Sequence, residues 1–477
     1  MKIHQQRVDA PLLKPQAGEI FDVAVVGAGV VGCAMARRFT LEGARVAVLE
    51  RAPDILDGAS KANSAILHTG FDAPHGSLEL ACVRDGFREY IEIHREMGLP
   101  LEWSGAYVVA WTDDEVARLQ DVLALAHQNG FSDLELIGAG ELLRREPHLS
   151  GRALAAMAVP DEAIIDPWSA PYAYLGQALE NGAEVFLACD VTGGSFEGDV
   201  WRLETSRGEL TCRHVINCAG LYGDRLDQAL LGTASFEIRP RKGQFVVFDK
   251  AASKLLTAVI FPVPTSRTKG VVVTRTVFGN VLVGPTAEDQ LSRSDASTDE
   301  VTLRGLLAAA VEKFPALANI PITATYAGLR PATEQKDYRI EARSDRNWIS
   351  VGGIRSTGLS SALGIARHVY GLYSQQGAKH HAIDDPKLPA MPVLSQSGER
   401  DWCRAGHGGI VCHCELVTER EISQALAGPL AARSLAGLKR QTRATMGRCQ
   451  GFYCSARIAE LTADRFETSL TVGAAHD

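Results

Sequence analysis

Long apolar runs are missing from this chain. The most apolar early stretch, Val23 to Ala36, is 14 residues long and broken by Gly27, Gly29 and Gly32, short of the about 20 apolar residues that a bilayer-spanning helix needs. Residues 1–20 have no apolar h-region and no small-residue cleavage site, so they read as a short tail and not as a secretory signal. Positive charge is in deficit too, with 49 Lys and Arg against 57 Asp and Glu for a net charge of −8. A chain of that balance has no general attraction for phosphate backbones or anionic lipid, and nucleic acid is not an expected partner. There is no long-period repeat and no low-complexity block, which sets aside solenoids and disordered tracts. What remains is ordinary globular composition, 46% hydrophobic and 22% charged over 477 residues, enough for about three domains.

Cysteine is present in number. Ten occur, and without an export signal they read as reduced thiols of a cytoplasmic protein, where clustered cysteines are more often metal ligands than disulfides. Four crowd the last fifth of the chain as Cys412-His413-Cys414 and Cys449-Gln450-Gly451-Phe452-Tyr453-Cys454. Four thiolates can hold an iron–sulfur cluster, which takes electrons one at a time. Zinc is the alternative, although structural zinc prefers C-x2–4-C pairs to C-x-C. Cys403 fits neither pair, and Cys33, Cys82, Cys189, Cys212 and Cys218 lie in apolar surroundings as small buried hydrophobes.

A dinucleotide fingerprint opens the chain. Phe21 to Val26 reads as a buried parallel strand, Val30 to Glu42 has helical apolar spacing, and Arg45 to Leu49 forms a second strand ending at Glu50. Between the first strand and the helix lies Gly27-x-Gly29-x-x-Gly32. Gly27 permits the tight turn, Gly29 lets the backbone approach a pyrophosphate, and Gly32 allows close packing, while the helix N-terminus offers free N–H groups to phosphate. Glu50 follows Gly32 by 18 residues and is placed to accept hydrogen bonds from an adenosine ribose. These residues suit FAD and NAD equally. Because a dinucleotide removes hydride as an electron pair and a cluster accepts single electrons, the combination favours FAD, which handles both.

Further along, Val191, Trp201 to Thr205 and His214 to Asn217 read as strands of the same unit. Gln244 to Phe248, Gly270 to Thr274 and Asn280 to Val283 suit a separate, largely antiparallel sheet. Ala382 to Arg400 is rich in Pro, Asp and Ser and reads as a linker. The segment beyond it is too small for a generous core, so a metal centre would help it fold.

The segments Asn63-Ser64-Ala65-Ile66-Leu67-His68-Thr69-Gly70, Asn217-Cys218-Ala219-Gly220, Tyr326-Ala327-Gly328-Leu329-Arg330-Pro331 and Gly353-Ile354-Arg355-Ser356-Thr357-Gly358-Leu359 resemble the FAD-dependent oxidoreductases of the D-amino-acid oxidase superfamily, in the branch of glycerol-3-phosphate and L-2-hydroxyglutarate dehydrogenases. The likeness covers about residues 20–375. It implies an α/β fold: a Rossmann-like FAD-binding domain formed by 21–95, 160–235 and 340–380, with an inserted antiparallel substrate domain of α+β type formed by 96–159 and 236–339. Residues 381–400 would be the linker and 401–477 a small helical [2Fe–2S] domain. Flavin contacts are implied for Gly27, Ala28, Gly29, Val30, Val31, Gly32, Glu50 and Arg51. The set continues with Ser60, Asn63, Ser64 and Leu67 along the flavin, Val191 at adenine through its backbone, Ala219 and Gly220. Gly353, Ile354, Thr357, Gly358, Leu359 and Ser360 would cap the isoalloxazine. The tail, with Thr442 to Gly451 leading into its last cysteine, resembles the bacterioferritin-associated-ferredoxin-like [2Fe–2S] domain, implying Cys412, Cys414, Cys449 and Cys454 as ligands.

Removing hydride from a carbon bearing OH or NH needs a base for the heteroatom proton and a cation for an anionic substrate. His68 is the first candidate base, in the loop that the resemblance runs beside the flavin, and Arg330 the substrate anchor, with Arg355 and Lys269 as assistants. The dehydrogenases that act on glycerol 3-phosphate commonly carry an arginine four residues after this histidine. Here Asp72 stands in its place, which opposes a phosphate dianion or favours an amine. The expectation is a dehydrogenase of a small anionic alcohol, either a polyol phosphate or a 2-hydroxy acid. The alternatives are an opine or imino-acid dehydrogenase and a flavin–iron–sulfur electron-transfer subunit. Electrons would leave through the cluster to a partner subunit or quinone-linked carrier, which would also supply any peripheral attachment to the inner membrane. His380-His381 has no companion ligands at useful spacing and reads as a polar loop.

Overall fold

The computed structural model describes Lys14 and residues 18–265, 270–466 and 468–470; Lys269, one of the expected assistants, lies outside these residues. Two sheets organise the first 350 residues. The first has a parallel centre, in the order Glu184–Phe186, Val46–Leu49, Ile20–Val26, Gly208–Asn217 and Trp348–Gly352. Val23, Val25, Val46 and Val48 are completely buried, as a sheet covered on both faces requires. One face carries Val30–Leu41, Ser169–Glu180 and Gly358–Gln375, whose Cys33, Phe39, Ala173 and Ile365 are fully buried. On the opposite face the sheet's own Phe186, Trp201, Leu203 and Trp348 form a cluster against which Leu226 and Leu230 of the helix Gly223–Leu231 pack. Buried Glu89 of Leu78–Ile93 ties the layers, pairing with Arg37 at 2.5 Å and Arg38 at 2.6 Å, while Arg37 also donates to Gln177 at 2.7 Å.

The second sheet has nine strands drawn from two separate stretches of chain. Ala106–Ala110, Glu135–Gly138 and Ala155–Val159 join six strands between Ile238 and Thr333. All pairings are antiparallel except that of Val259–Pro262 with Ala106–Ala110. The long strands Ile238–Phe248 and Ile322–Thr333 pair along almost their whole length, setting Gly243 opposite Gly328 and Arg241 opposite Arg330. The fold class is the one expected: a Rossmann-like α/β unit, an inserted antiparallel α+β sheet and a small C-terminal unit.

The stretch read as a linker has no regular secondary structure after Gln376, yet it is fastened to the body as a strap. Ile383 N–H donates to Leu41 O at 2.8 Å, Lys387 N–H to Asn181 Oδ1 at 2.9 Å, and Gln396 N–H to Val277 O at 2.9 Å. Leu394 is 2% exposed. Its composition hides this because the anchoring is by backbone groups. The C-terminal unit has a two-stranded ladder, Ile410–Cys412 with Val417–Thr418, and three short helices, Glu419–Ala425, Leu435–Thr442 and Ser455–Leu461. Thr418 and Glu421 form a capping box on the first helix. Val417, Ile422, Leu438 and Ile458 make the core. Among the described residues no helix is long and apolar enough to cross a membrane.

Candidate active site and cysteine site

The carboxyl ends of the parallel strands open into a cleft of about 450 Å³ between the two sheets, the place where α/β folds of this type take ligands. The glycine turn forms one wall. Gly27 has φ +103°, and a Cβ on Gly32 would sit 1.8 Å from the Gly27 carbonyl oxygen, so the helix can start at this angle only with both glycines present. Val30 N–H donates to Ser60 Oγ at 3.0 Å, which brings the Ser60 loop onto the helix N-terminus. Glu50 accepts Ala28 N–H at 2.7 Å and Ala52 N–H at 2.9 Å. Burial raises the Glu50 carboxyl above its ordinary pKa against those donors. Glu50 therefore pins the turn as well as facing the cleft.

Of the expected flavin contacts, Gly27, Gly29, Val30, Val31, Gly32, Glu50, Arg51, Ser60, Asn63, Ser64, Val191, Ala219, Gly220, Gly353, Ile354, Gly358 and Leu359 line this one cleft. Four others stand behind the wall. Ala28 and Leu67 are completely buried. Thr357 Oγ1 donates to Glu79 at 2.7 Å and bonds Tyr338 Oη at 2.7 Å. Ser360 Oγ accepts His68 N–H at 2.8 Å and donates to Ile66 O at 3.3 Å. Their side chains shape the site without facing it. The sequence reading missed Tyr222, whose ring lies 3.9 Å from the Arg51 guanidinium at the cleft wall, because nothing in its local pattern separates it from a surface tyrosine.

Arg330 and Arg355 line the same cleft. The Arg330 guanidinium donates to Thr286 O at 3.2 and 3.1 Å, and among the described residues it has no carboxylate partner. Burial, with the charges of Arg241 and Arg355, pushes its pKa down to about 10, so it stays cationic at neutral pH. It lies across Gly243, where a Cβ would come within 2.7 Å of Nη2. That missing side chain on a paired strand was the available signal for a group passing over the sheet. Arg355 is more occupied, bonding Lys336 O and lying 3.9 Å from Glu79.

His68 does not line the cleft itself. Its Nδ1 meets Oε2 of the fully buried Glu162 at 3.0 Å, and its ring lies 5.9 Å from that of Phe261. Glu162 was not anticipated: it stands 94 residues from His68 and the two meet only through the strand pairing of Ile66–Leu67 with Ala163–Ile165.

In the C-terminal unit Cys412 and Cys454 are 1% exposed. The four thiols stand close enough to act on one another, Cys414 with Cys449 and Cys412, and Cys454 with Cys412 and Cys449. Burial, with the nearby Cys412, pushes the Cys454 thiol up to about 12. Backbone N–H groups of Tyr453, Gly451 and Phe452 hold the Cys449 thiol below its ordinary value. Gly447 is required, since its Cβ would lie 2.1 Å from that of Cys414. Among the described residues no three His, Cys, Asp or Glu side chains converge as ligands of a single ion would. Four neighbouring sulfurs with N–H donors suit a cluster of two irons sharing four thiolates. Cys403 is exposed and Cys33, Cys82, Cys189 and Cys212 are buried, whereas Cys218, expected to be buried with them, is half-buried at the cleft wall.

This unit is docked on both sheets. Asp54 accepts Ser434 Oγ at 2.6 Å and Arg433 N–H at 2.9 Å. Asp249 takes Arg448 through bonds of 3.0 and 2.7 Å, Gln450 donates to Thr323 O at 2.7 Å, and buried Glu415 binds Arg443 at 2.8 Å and Lys250 at 3.2 Å. The Arg443 guanidinium lies 3.8 Å over the Phe278 ring, which stacks on Trp168 at 6.0 Å.

Relatives agree with this construction. Over 461 residues the chain is 35% identical to a glycerol 3-phosphate dehydrogenase of Caloramator mitchellensis, covering 95% of this chain and 96% of that protein. It is 29% identical to an L-2-hydroxyglutarate dehydrogenase of Indibacter alkaliphilus over 60% of this chain and 72% of the other. The solved structure of a dithionite-reduced L-α-glycerophosphate oxidase from Mycoplasma pneumoniae, with FAD bound, superposes with a TM-score of 0.73 at 25% identity, covering 79% of this chain and all of that one. Residues 410–464 match the BFD-like [2Fe-2S] binding domain. With residues 22–372 matching the family of FAD dependent oxidoreductases as well, the chain belongs to that family and carries a [2Fe–2S] domain behind its flavin fold.

Proposed function

We propose that this protein oxidises glycerol 3-phosphate, or a 2-hydroxy acid of similar size, and passes the electrons through its cluster to a partner subunit or quinone-linked carrier. Arg330 carries the reading. A desolvated guanidinium without a carboxylate partner among the described residues, in the cleft that holds the dinucleotide fingerprint, is a seat for a phosphate or carboxylate. The glycerol 3-phosphate dehydrogenase relative supports the phosphate, because that match leaves too few residues unmatched to omit the cluster domain. The L-2-hydroxyglutarate dehydrogenase supports the carboxylate.

Bound FAD would supply the hydride acceptor for the carbinol carbon. The chain's own groups do the rest. Arg330 grips the anionic end and orients the substrate, and the cleft walls keep water away. His68, behind the cleft lining but with part of its ring open, takes the hydroxyl proton, Arg355 at the cleft wall adds positive potential, and Lys269, outside the described residues, belongs to the same proposed set. Cys412, Cys414, Cys449 and Cys454 hold the cluster.

Anaerobic bleaching of the bound flavin tests the substrate. Glycerol 3-phosphate should bleach it rapidly, L-2-hydroxyglutarate next, and uncharged glycerol poorly. Equal bleaching by glycerol would remove Arg330 as anchor, and faster bleaching by proline or glycine would give the chain to amine substrates, the direction in which Asp72 points.

A further inference from the structure

The structure assigns to Glu162 the positioning of His68: its carboxylate fixes the imidazole as the Nδ1–H tautomer and leaves Nε2 as the proton acceptor. The inference rests on the proposed role of His68 as base.

Glu162 is completely buried, at 0% exposure. A buried carboxylate needs donors, and it has three. Thr69 N–H and Thr69 Oγ1–H both reach Oε1 at 2.8 Å, and His68 Nδ1 faces Oε2 at 3.0 Å. Thr69 is itself 4% exposed, so the carboxylate cannot swing away. An ionised carboxylate only accepts, which obliges Nδ1 to carry the proton. The histidine is held from its backbone too, where His68 N–H donates to Ser360 Oγ at 2.8 Å. Ser360 lies on Gly358–Gln375, the helix that begins at the cleft wall. Among the described residues Nε2 bonds to nothing, and the side chain keeps 22% of its surface open.

Ring orientation, tautomer and backbone are therefore all set, and one lone pair remains for chemistry. As the carbinol C–H pair leaves as hydride to bound FAD, the O–H bond breaks, a C=O bond forms, and the proton goes to Nε2. The imidazolium so formed lies against the Glu162 carboxylate, which offsets its charge. Thr69 makes the same argument from the other side. Its hydroxyl and N–H occupy Oε1, leaving Oε2 for the ring alone.

Two measurements test this. In the substrate-free, FAD-loaded protein, 15N-histidine NMR with His68 identified by its loss in His68→Gln should show the Nδ1–H tautomer, and Glu162→Gln should abolish that preference. In anaerobic flavin reduction by glycerol 3-phosphate, Glu162→Gln should lower the plateau rate by roughly 10²-fold. A wild-type Nε2–H tautomer would overturn the assignment even if no variant folded, and so would an unaltered plateau rate in Glu162→Gln. If His68→Gln itself reduces flavin at the wild-type rate while the tautomer is as expected, the failure belongs to His68 as base and not to Glu162 as its orienter.

Discussion

Arg330 is the side chain on which substrate choice turns. Replacing it with Ala removes the charge-assisted grip proposed for the substrate's anionic end, about 3 kcal/mol for a two-bond contact, so kcat/KM for glycerol 3-phosphate should fall about 10²-fold, mainly through KM, with glycerol little affected. Steady-state kinetics with an artificial electron acceptor reads this directly. Gly32→Ala should abolish FAD retention on gel filtration, because the added methyl meets the Gly27 carbonyl at 1.8 Å. The glycines could be read in the sequence because they encode backbone geometry locally, and the four cysteines because their spacing has little use besides a metal centre. Glu162 could not. It follows Pro160-Asp161 as an apparent turn residue, and only the meeting of two distant segments turns it into a buried partner. The role of Gly243 was hidden in the same way: a glycine in a strand announces an absence, and Arg330 fills it from the neighbouring strand.

Among the elements, the strands and helices of the first βαβ unit ended within a residue of their expected bounds, since burial on both faces leaves an unmistakable apolar pattern. The strap at 381–400 shows the opposite case, in which side-chain composition suggests freedom and backbone hydrogen bonds supply attachment. Docking of the cluster unit was not legible either, because Asp54 and Asp249 are isolated acids in sequence. Asp54→Ala removes the acceptor for Ser434 Oγ and Arg433 N–H, about 2 kcal/mol of interaction. Limited proteolysis should then release the C-terminal unit faster. His214, on Gly208–Asn217 against Tyr373, gives a pH signature. Burial lowers its pKa to about 4, with Gln376 opposing. Between about 6.5 and 4 the unfolded chain binds a proton that the folded one refuses, so stability falls as pH drops through that window. In His214→Leu this part of the slope should disappear, leaving urea midpoints at pH 5 and pH 7 closer together than in wild type.

At the scale of the whole molecule, two redox sites share one rigid frame. The cluster unit grips the loop at Asp54, next to the cleft-lining residues from Asp57 to Ser60, and grips the second sheet at Asp249, Lys250 and Thr323. Under the proposed function, a cluster held by these contacts would receive electrons from within the same chain. Cys414→Ser should lose iron while retaining FAD and substrate-dependent bleaching, measured by iron content and absorbance, with turnover through the physiological acceptor lost. In the function proposed above, a pair of electrons entering at the flavin leaves singly through iron and sulfide in the same chain. Low-temperature EPR of anaerobic protein frozen after mixing with glycerol 3-phosphate tests it most directly. Flavin bleaching should appear together with the signal of a reduced [2Fe–2S] cluster. A bleached flavin beside a cluster that stays oxidised with substrate, yet yields its signal on chemical reduction, would contradict it.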